Sequence, residues 1–321
     1  MPRNTTRLCS TSIRSGRPRC LIPRCIAHAL LLGVAACGNP SAPFTDQRGL
    51  LLVIRGLGPA AEIYALRPDG TESRQLTRNT FLDAVPDWSP NGRQIVFISL
   101  QSTTPGESAS EMWVMNADGS GQRRLLGHTI SPEHPRWSPD GRRIAFEGYD
   151  PSVGVFRPYL MNADGSNVHP LSSSAGDASS VEWSPEGTQL LFLSNRAPPF
   201  ARTMYVVQLD GTGERQLTDT SACSSNVGDP RWSPDGARIA YTCYYASGPA
   251  IYTIRADGTD PVLVTAPGWS PVWSPDGRQL AFNSNRDVGY DVYVMDMSSG
   301  AVSRVTSDGA TYGPAAWGGG R

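Results

Sequence analysis

Six of the eight tryptophans divide this 321-residue chain at nearly even spacing, and five of them open the same phrase, Trp-Ser-Pro-Asp-Gly. The phrase starts at Trp88 (with Asn91 for Asp), Trp137, Trp183 (with Glu186 for Asp), Trp232 and Trp273. Trp317 stands where the next copy should begin, and three glycines and Arg321 follow it. The intervals are 49, 46, 49, 41 and 44 residues. A period in this range marks a repeat architecture in which each repeat is one supersecondary unit.

The unit reads as two hairpins. Pro presets φ for a turn, Asp caps its own backbone and Gly takes positive φ. A short apolar strand follows each turn, such as Ile95-Val96-Phe97-Ile98 or Leu190-Leu191-Phe192-Leu193. After a variable loop comes an aromatic residue six before a turn glycine: Tyr64 with Gly70, Trp113 with Gly119, Tyr159 with Gly165, Tyr205 with Gly211 and Tyr252 with Gly258. Tyr293 with Gly300 is one residue longer. A last short strand ends the unit, as in Arg215-Gln216-Leu217-Thr218. Two hairpins joined by a loop make a four-stranded antiparallel sheet. Sustained helical periodicity is absent, so helix content should be very low.

One such sheet cannot bury both faces; stacking sheets around an axis can. The spacing therefore predicts an all-β fold, a six-bladed β-propeller with four-stranded antiparallel blades. Trp88, Trp137, Trp183, Trp232, Trp273 and Trp317 are expected to fill the wedges between blades. Six outer hairpins fall at 62–77, 111–126, 157–172, 203–218, 250–265 and 291–306, but only five Trp strands precede their own partner. The unpartnered strands are Leu50–Arg55 and Pro314–Trp317. Their pairing would close the ring and remove the exposed edges.

The repeats resemble the WD-like repeats of the TolB propeller family. The likeness rests on Trp-Ser-Pro-Asp-Gly-Arg-x-Ile-Ala-Phe, on Ser-Asn-Arg at 194–196 and 284–286, and on the tyrosine-to-Asp-Gly hairpins. It covers residues 50–317. It implies the propeller fold; the family serves many purposes, so function must be argued from the site. TolB itself carries a further α/β domain ahead of its propeller, for which this chain has no room, so the resemblance implies a propeller-only relative.

Residues 1–36 hold six Arg and no acid, with a short apolar run from Ile26 ending in Val34-Ala35-Ala36-Cys37. This resembles a lipoprotein signal, with Cys37 as the lipidated residue. The run is too short to span a bilayer, which takes about 20 residues. A plain secretory signal or an interfacial segment is the alternative. The expected organisation is a signal over 1–36, a lipidated polar tether over 37–48 and the propeller over 49–318. The expected place is the bacterial envelope, periplasmic or outer-membrane associated. The whole chain carries 28 basic and 29 acidic residues. Loss of six Arg leaves about −7, and a body without a basic stripe argues against nucleic acid. Cys223 and Cys243 fall in one repeat, within reach across a hairpin, and outside the cytoplasm they would form a disulfide. Two isolated thiols are the alternative.

Catalytic signatures are scarce. No Gly-x-Ser-x-Gly elbow or phosphate loop occurs, and the histidines share no metal-ligand spacing. No cofactor and no metal site are expected. The Asp-Gly pairs recur at one turn of each repeat, which suits turn geometry better than calcium. The loops leading into the Trp strands vary most, and they run toward the axis. They offer Phe81, Asp83, Glu133, His134, Asp177, Asp229, Trp269 and Tyr312 as a channel rim. Four acids and three aromatics there suit another envelope protein or peptide. The reading is a non-catalytic binding scaffold. Its rival is a carbohydrate-binding protein or a sugar-acid lyase-like enzyme using the same channel. Before the tryptophans stand Asp87, Arg136, Glu182, Arg231, Val272 and Ala316, whose alternating charges could pair between blades.

Overall fold

Each Trp-Ser-Pro-Asp-Gly phrase ends one strand and turns the chain into the next. In the computed structural model this turn is held by its own side chains. Ser138 Oγ donates to Asp140 Oδ1 at 2.6 Å and accepts the Arg143 N–H at 2.9 Å. Asp140 Oδ1 also accepts the Arg142 N–H. Ser233 with Asp235 and Ser274 with Asp276 repeat the bond at 2.6 Å. The serine hydroxyl and the backbone N–H hold all three carboxyls below their ordinary pKa. Glu186 is one methylene longer and does not make this bond.

The structure describes residues 49–56, 61–101, 110–171, 177–196, 201–218, 223, 226–309 and 311–318. The signal, Cys37 and the whole tether fall outside them. Blade one contains β1 (Leu51–Arg55), β2 (Glu62–Leu66) and β3 (Ser73–Gln75). Blade two is β4 (Leu82–Trp88), β5 (Gln94–Leu100), β6 (Ser110–Asn116) and β7 (Arg123–Leu126). Blade three is β8 (Glu133–Trp137), β9 (Arg143–Asp150), β10 (Val155–Asn162) and β11 (His169–Pro170). Blade four is β12 (Ala178–Trp183), β13 (Gln189–Ser194), β14 (Thr203–Gln208) and β15 (Arg215–Gln216). Blade five is β16 (Asn226–Trp232), β17 (Arg238–Tyr245), β18 (Gly248–Arg255) and β19 (Val262–Thr265). Blade six is β20 (Trp269–Trp273), β21 (Gln279–Ser284), β22 (Asp291–Asp296) and β23 (Val302–Arg304). The last strand, β24 (Thr311–Trp317), joins blade one, whose order is β24-β1-β2-β3. All six sheets are four-stranded and antiparallel. A single 3-10 turn, His128–Ile130, is the one helical element among the described residues.

Closure between the chain ends is as the leftover strands required. Leu51 pairs with Trp317 and Leu52 with Ala316. Gly318 N–H donates to Leu50 O at 2.7 Å, and Trp317 Nε1 donates to Gly49 O at 3.0 Å.

Every blade interface has its own apolar core with one of the six repeat tryptophans in it. Trp183 packs with Ala145 and Leu160 of blade three and with Leu190, Phe192 and Tyr205 of its own blade. Trp317 does the same between blades six and one, with Val292 and Val294 facing Leu51 and Val53. Trp88, Trp137, Trp232 and Trp273 fill the other four. Burying such side chains is the main favourable contribution to stability, about 1.5–3 kcal/mol for each large one.

The outer Asp-Gly turns add a second inter-blade contact. Gly70 has φ +75°, and a Cβ there would stand 2.6 Å from Val305 O of blade six. Gly211 has φ +79°, and its Cβ would stand 2.6 Å from Leu171 O of blade three. Only glycine allows both the conformation and the approach.

The Ser-Asn-Arg phrases are also structural. Arg196 lies 4.0 Å from the Tyr205 ring centroid, and Arg286 lies 5.0 Å from those of Phe282 and Tyr293. Each guanidinium covers the outer face of an aromatic pair in its own blade.

Candidate functional site

Strands β4, β8, β12, β16, β20 and β24 pack one against the next around the axis. In blades two to six each inner strand is interrupted at the same place. Ala84 and Asp87 oppose Ile98 and Val96, so one extra residue is inserted. The same shift occurs at 133/136, 179/182, 228/231 and 269/272. Three residues before each of these tryptophans stands a residue of left-handed backbone: Val85 (φ 48°), His134 (43°), Ser180 (55°), Asp229 (47°) and Ser270 (51°). Gly313 takes φ 56° in β24. Such conformations cost about 1–3 kcal/mol each in non-glycine residues and collect where bulges re-aim side chains.

The sequence carries a signal for these bulges. Pro86, Pro135, Pro230 and Pro271 each stand two residues before the tryptophan. Proline has no N–H for the ladder, so inside a sheet it belongs at bulges or edges. Blade four has Val181 instead. Its N–H is accepted by the buried Glu147 at 2.9 Å.

At the tryptophan end the axis is occupied. Asp87, Arg136, Glu182, Arg231, Val272 and Ala316 all line one cavity of about 60 Å³. Glu182 Oε2 lies 3.3 Å from Arg136 Nε and 3.5 Å from Arg231 Nη1. Asp87 Oδ2 accepts the Trp137 N–H at 2.8 Å. Burial, and then Arg136 nearby, lower the Arg231 pKa to about 10, so it stays charged at neutral pH. The alternating charges thus link blades three, four and five across the axis and narrow the channel there.

The opposite end is the variable one. His134 Nδ1 lies 2.8 Å from Glu147 Oε2. Burial works against the imidazolium, but Glu147 outweighs it and raises the His134 pKa. Burial raises the pKa of the neighbouring Glu133, with His134 opposing and Glu147 adding to the rise. Asp229 Oδ2 accepts from Tyr244 Oη at 3.3 Å and from Ser270 Oγ at 3.2 Å. Trp269 is half-buried and meets Tyr290 edge to face, centroids 5.8 Å apart. Asp177 is exposed and accepts the Phe156 N–H at 3.2 Å. Phe81 is half-buried beside Asn79, which accepts its N–H.

Asp83 departs from the expected rim. It is fully buried, and Asn79 Nδ2 donates to it at 2.7 Å. Burial raises its pKa against the pull of Ser99, Asn79 and Thr77. Its position before the bulge turns it into blade two, where it supports the loop instead of facing solvent. Tyr312 pairs through its backbone with Ile54; its side chain lies outside the described residues.

Sequence reasoning missed half of this face. In an antiparallel blade the connection after the second strand returns to the side where the first began. Tyr149, Val153, Tyr244, Val288 and Tyr290 lie in or beside those connections, and all are exposed. Five of the seven large apolar side chains that are exposed among the described residues are therefore on the channel face. The other two, Val262 and Leu263, lie on the outermost strand β19.

Cys223 and Cys243 form a disulfide, with Cα atoms 5.6 Å apart. Cys243 pairs with Val227, so the bond ties the segment leading into β16 to β17. Among the described residues no group of three or more His, Cys, Asp or Glu side chains gathers as a metal would require.

Residues 154–319 match the TolB beta propeller domain. The Protein TolB homolog of Chlorobium luteolum is 32% identical over 100 residues, which is 31% of this chain and 23% of that relative's length. Crystallised TolB from Acinetobacter baumannii superimposes with a TM-score of 0.73 at 17% identity, covering 84% of this chain and 67% of that one. A putative TolB from Agrobacterium tumefaciens gives 0.65 at 20% identity, over 84% and 91%. An oligogalacturonate lyase in complex with manganese gives 0.54 at 17% identity, over 75% and 73%. At these identities the solved structures speak to the fold.

Proposed function

The chain belongs to the TolB beta propeller domain family, and from that premise we propose that it is a non-catalytic envelope lipoprotein that holds a segment of another protein at its channel face. The observation that carries this reading is the placement of exposed and half-buried aromatics. Tyr149, Tyr244, Trp269 and Tyr290 stand on one face together with Glu133, Asp177 and Asp229. The other end of the axis is narrowed by Asp87, Arg136, Glu182 and Arg231. A surface with aromatic anchors and a polar, acidic surround is the composition of a protein-binding patch. In this reading a lipid on Cys37 and the tether after it hold the propeller at a membrane of the envelope.

Capture from envelope extracts tests it. Trp269→Ala should weaken retention of the partner by about 2 kcal/mol or more, as for an aromatic hot spot. Asp177→Asn with Asp229→Asn should slow association and reduce its salt dependence. Changes at Gly119 neighbours such as Ser120 and Gln122, at the outer hairpins, should do little. Cys37→Ser should release the protein from membranes. If the outer-hairpin changes abolish capture and Trp269→Ala leaves it intact, the channel face is not the binding surface. One tightly held divalent ion in purified mature protein would favour the lyase-like alternative.

A further inference from the structure

On the Pro-Asp-Gly side one blade junction is built unlike its neighbour. Between blades three and four Arg143 lies over the Trp183 ring, 5.4 Å from its centroid, and Trp183 is fully buried. The corresponding residues one blade on are all changed. Glu186 replaces Asp140, Thr188 replaces Arg142 and Gln189 replaces Arg143. No guanidinium covers the next tryptophan, and Trp232 is only half-buried. What remains between blades four and five is a shallow groove, widely open to solvent, in which Glu186, Thr188, Arg215 and Asp257 are exposed. Glu186, Thr188, Gln189, Arg215, Trp232 and Asp257 line it.

We propose that this groove is a binding site for a neutral oligosaccharide. The proposal is independent of the channel-face reading. Its lining combines one aromatic side chain with polar side chains that, Asp257 apart, have no hydrogen-bond partner among the described residues. The side chains of Glu186, Thr188, Gln189 and Arg215 have no hydrogen bond or ion pair among the described residues. Asp257 spends Oδ1 on its own turn, accepting from the Thr259 N–H and hydroxyl. The set therefore offers carboxylate acceptors, guanidinium donors, and an amide and a hydroxyl that do both. A ligand whose every polar group both donates and accepts matches such a mixture, and sugar hydroxyls have that property. The C–H face of a pyranose supplies the flat apolar surface that an indole packs against. Two carboxylates against one guanidinium give the groove a net charge of −1, which disfavours an acidic sugar. Arg215 in turn opposes a strongly cationic occupant.

Gln189→Arg is the informative variant, because it restores the side chain that covers the indole one blade earlier. The probes are N,N′,N″-triacetylchitotriose and cellotriose, followed by saturation-transfer NMR and titration of the whole propeller. Binding of at least one trisaccharide is expected. Gln189→Arg and Glu186→Ala should each weaken it about tenfold or more, equal to about 1.4 kcal/mol. An unchanged thermal melt would show that each variant remains folded. Trp269→Ala should leave sugar binding intact, which separates this site from the channel face. Failure of both trisaccharides to bind overturns the proposal, as does binding that Gln189→Arg leaves unchanged. Loss in Trp269→Ala with retention in Gln189→Arg would move the sugar to the channel and also overturn it. A tri-arginine peptide that binds in place of the sugars, and is lost in Glu186→Ala, would identify a cationic peptide site instead.

Discussion

Replacing Gly211 with alanine separates two costs that usually arrive together. Gly211 has φ +79° and Gly300 has φ +74°, so an added methyl meets the same backbone penalty at both. That penalty is about 1–2 kcal/mol. The surroundings differ. At Gly300 the nearest atom to the new Cβ is Met295 Cε at 3.8 Å, an ordinary contact. At Gly211 it is Leu171 O at 2.6 Å, a backbone atom of the neighbouring blade. That oxygen cannot swing aside as a side chain would, so blades three and four must separate by several tenths of an ångström. Forced overpacking adds about 1–3 kcal/mol. Gly211→Ala should therefore lose about 2–5 kcal/mol and Gly300→Ala about 1–2 kcal/mol. Urea unfolding of both variants beside the parent gives the two differences. Equal losses would refute the inference that the outer turns hold adjacent blades together.

Three other outcomes follow from the same geometry. Glu182→Gln leaves Arg136 and Arg231 without their shared carboxylate and should cost about 3–5 kcal/mol in urea unfolding, as breaking a buried pair does. Deleting residues 314–321 removes the strand that β1 needs and Trp317 with it. The loss should reach at least the roughly 3–5 kcal/mol of a buried Trp truncation, with aggregation from the open edge; a melt unchanged within a degree or two would contradict the closure. Asp140, Asp235 and Asp276 have folded pKa values below that of an ordinary aspartate. Their contribution is present above that value and is lost as pH falls through the folded values, so urea midpoints should drop below about pH 4. Replacing all three with asparagine should flatten that drop.

The repeating parts of the molecule were legible because each residue in them answers a local demand. Trp, Ser, Pro, Asp and Gly each have one job in the turn or the wedge, and five copies expose it. The unpaired strands at the two ends reveal closure for the same reason. The channel face was read less well because it does not repeat. Asp83 and Asp229 look alike as loop acids, yet one stands before a bulge and is buried, while the other is the bulged residue. Only the position of the proline two residues before the tryptophan distinguishes them. Tyr149, Tyr244 and Tyr290 were passed over because they lie at or beyond the end of the second strand, and antiparallel pairing carries them back to the side where the first begins. The groove beside Trp232 is visible in sequence only as a set of departures, at Glu186, Thr188 and Gln189.

Site-specific photo-crosslinking in intact cells addresses the binding face most directly. A benzoylphenylalanine placed at Tyr244 or Tyr290 should join the propeller to the same partner protein. The same group placed at Val262 or Leu263, on the outer edge of blade five, should give no such product. Crosslinks from Val262 and Leu263 with none from Tyr244 and Tyr290 would contradict a channel-face binding site and place recognition on the propeller's side.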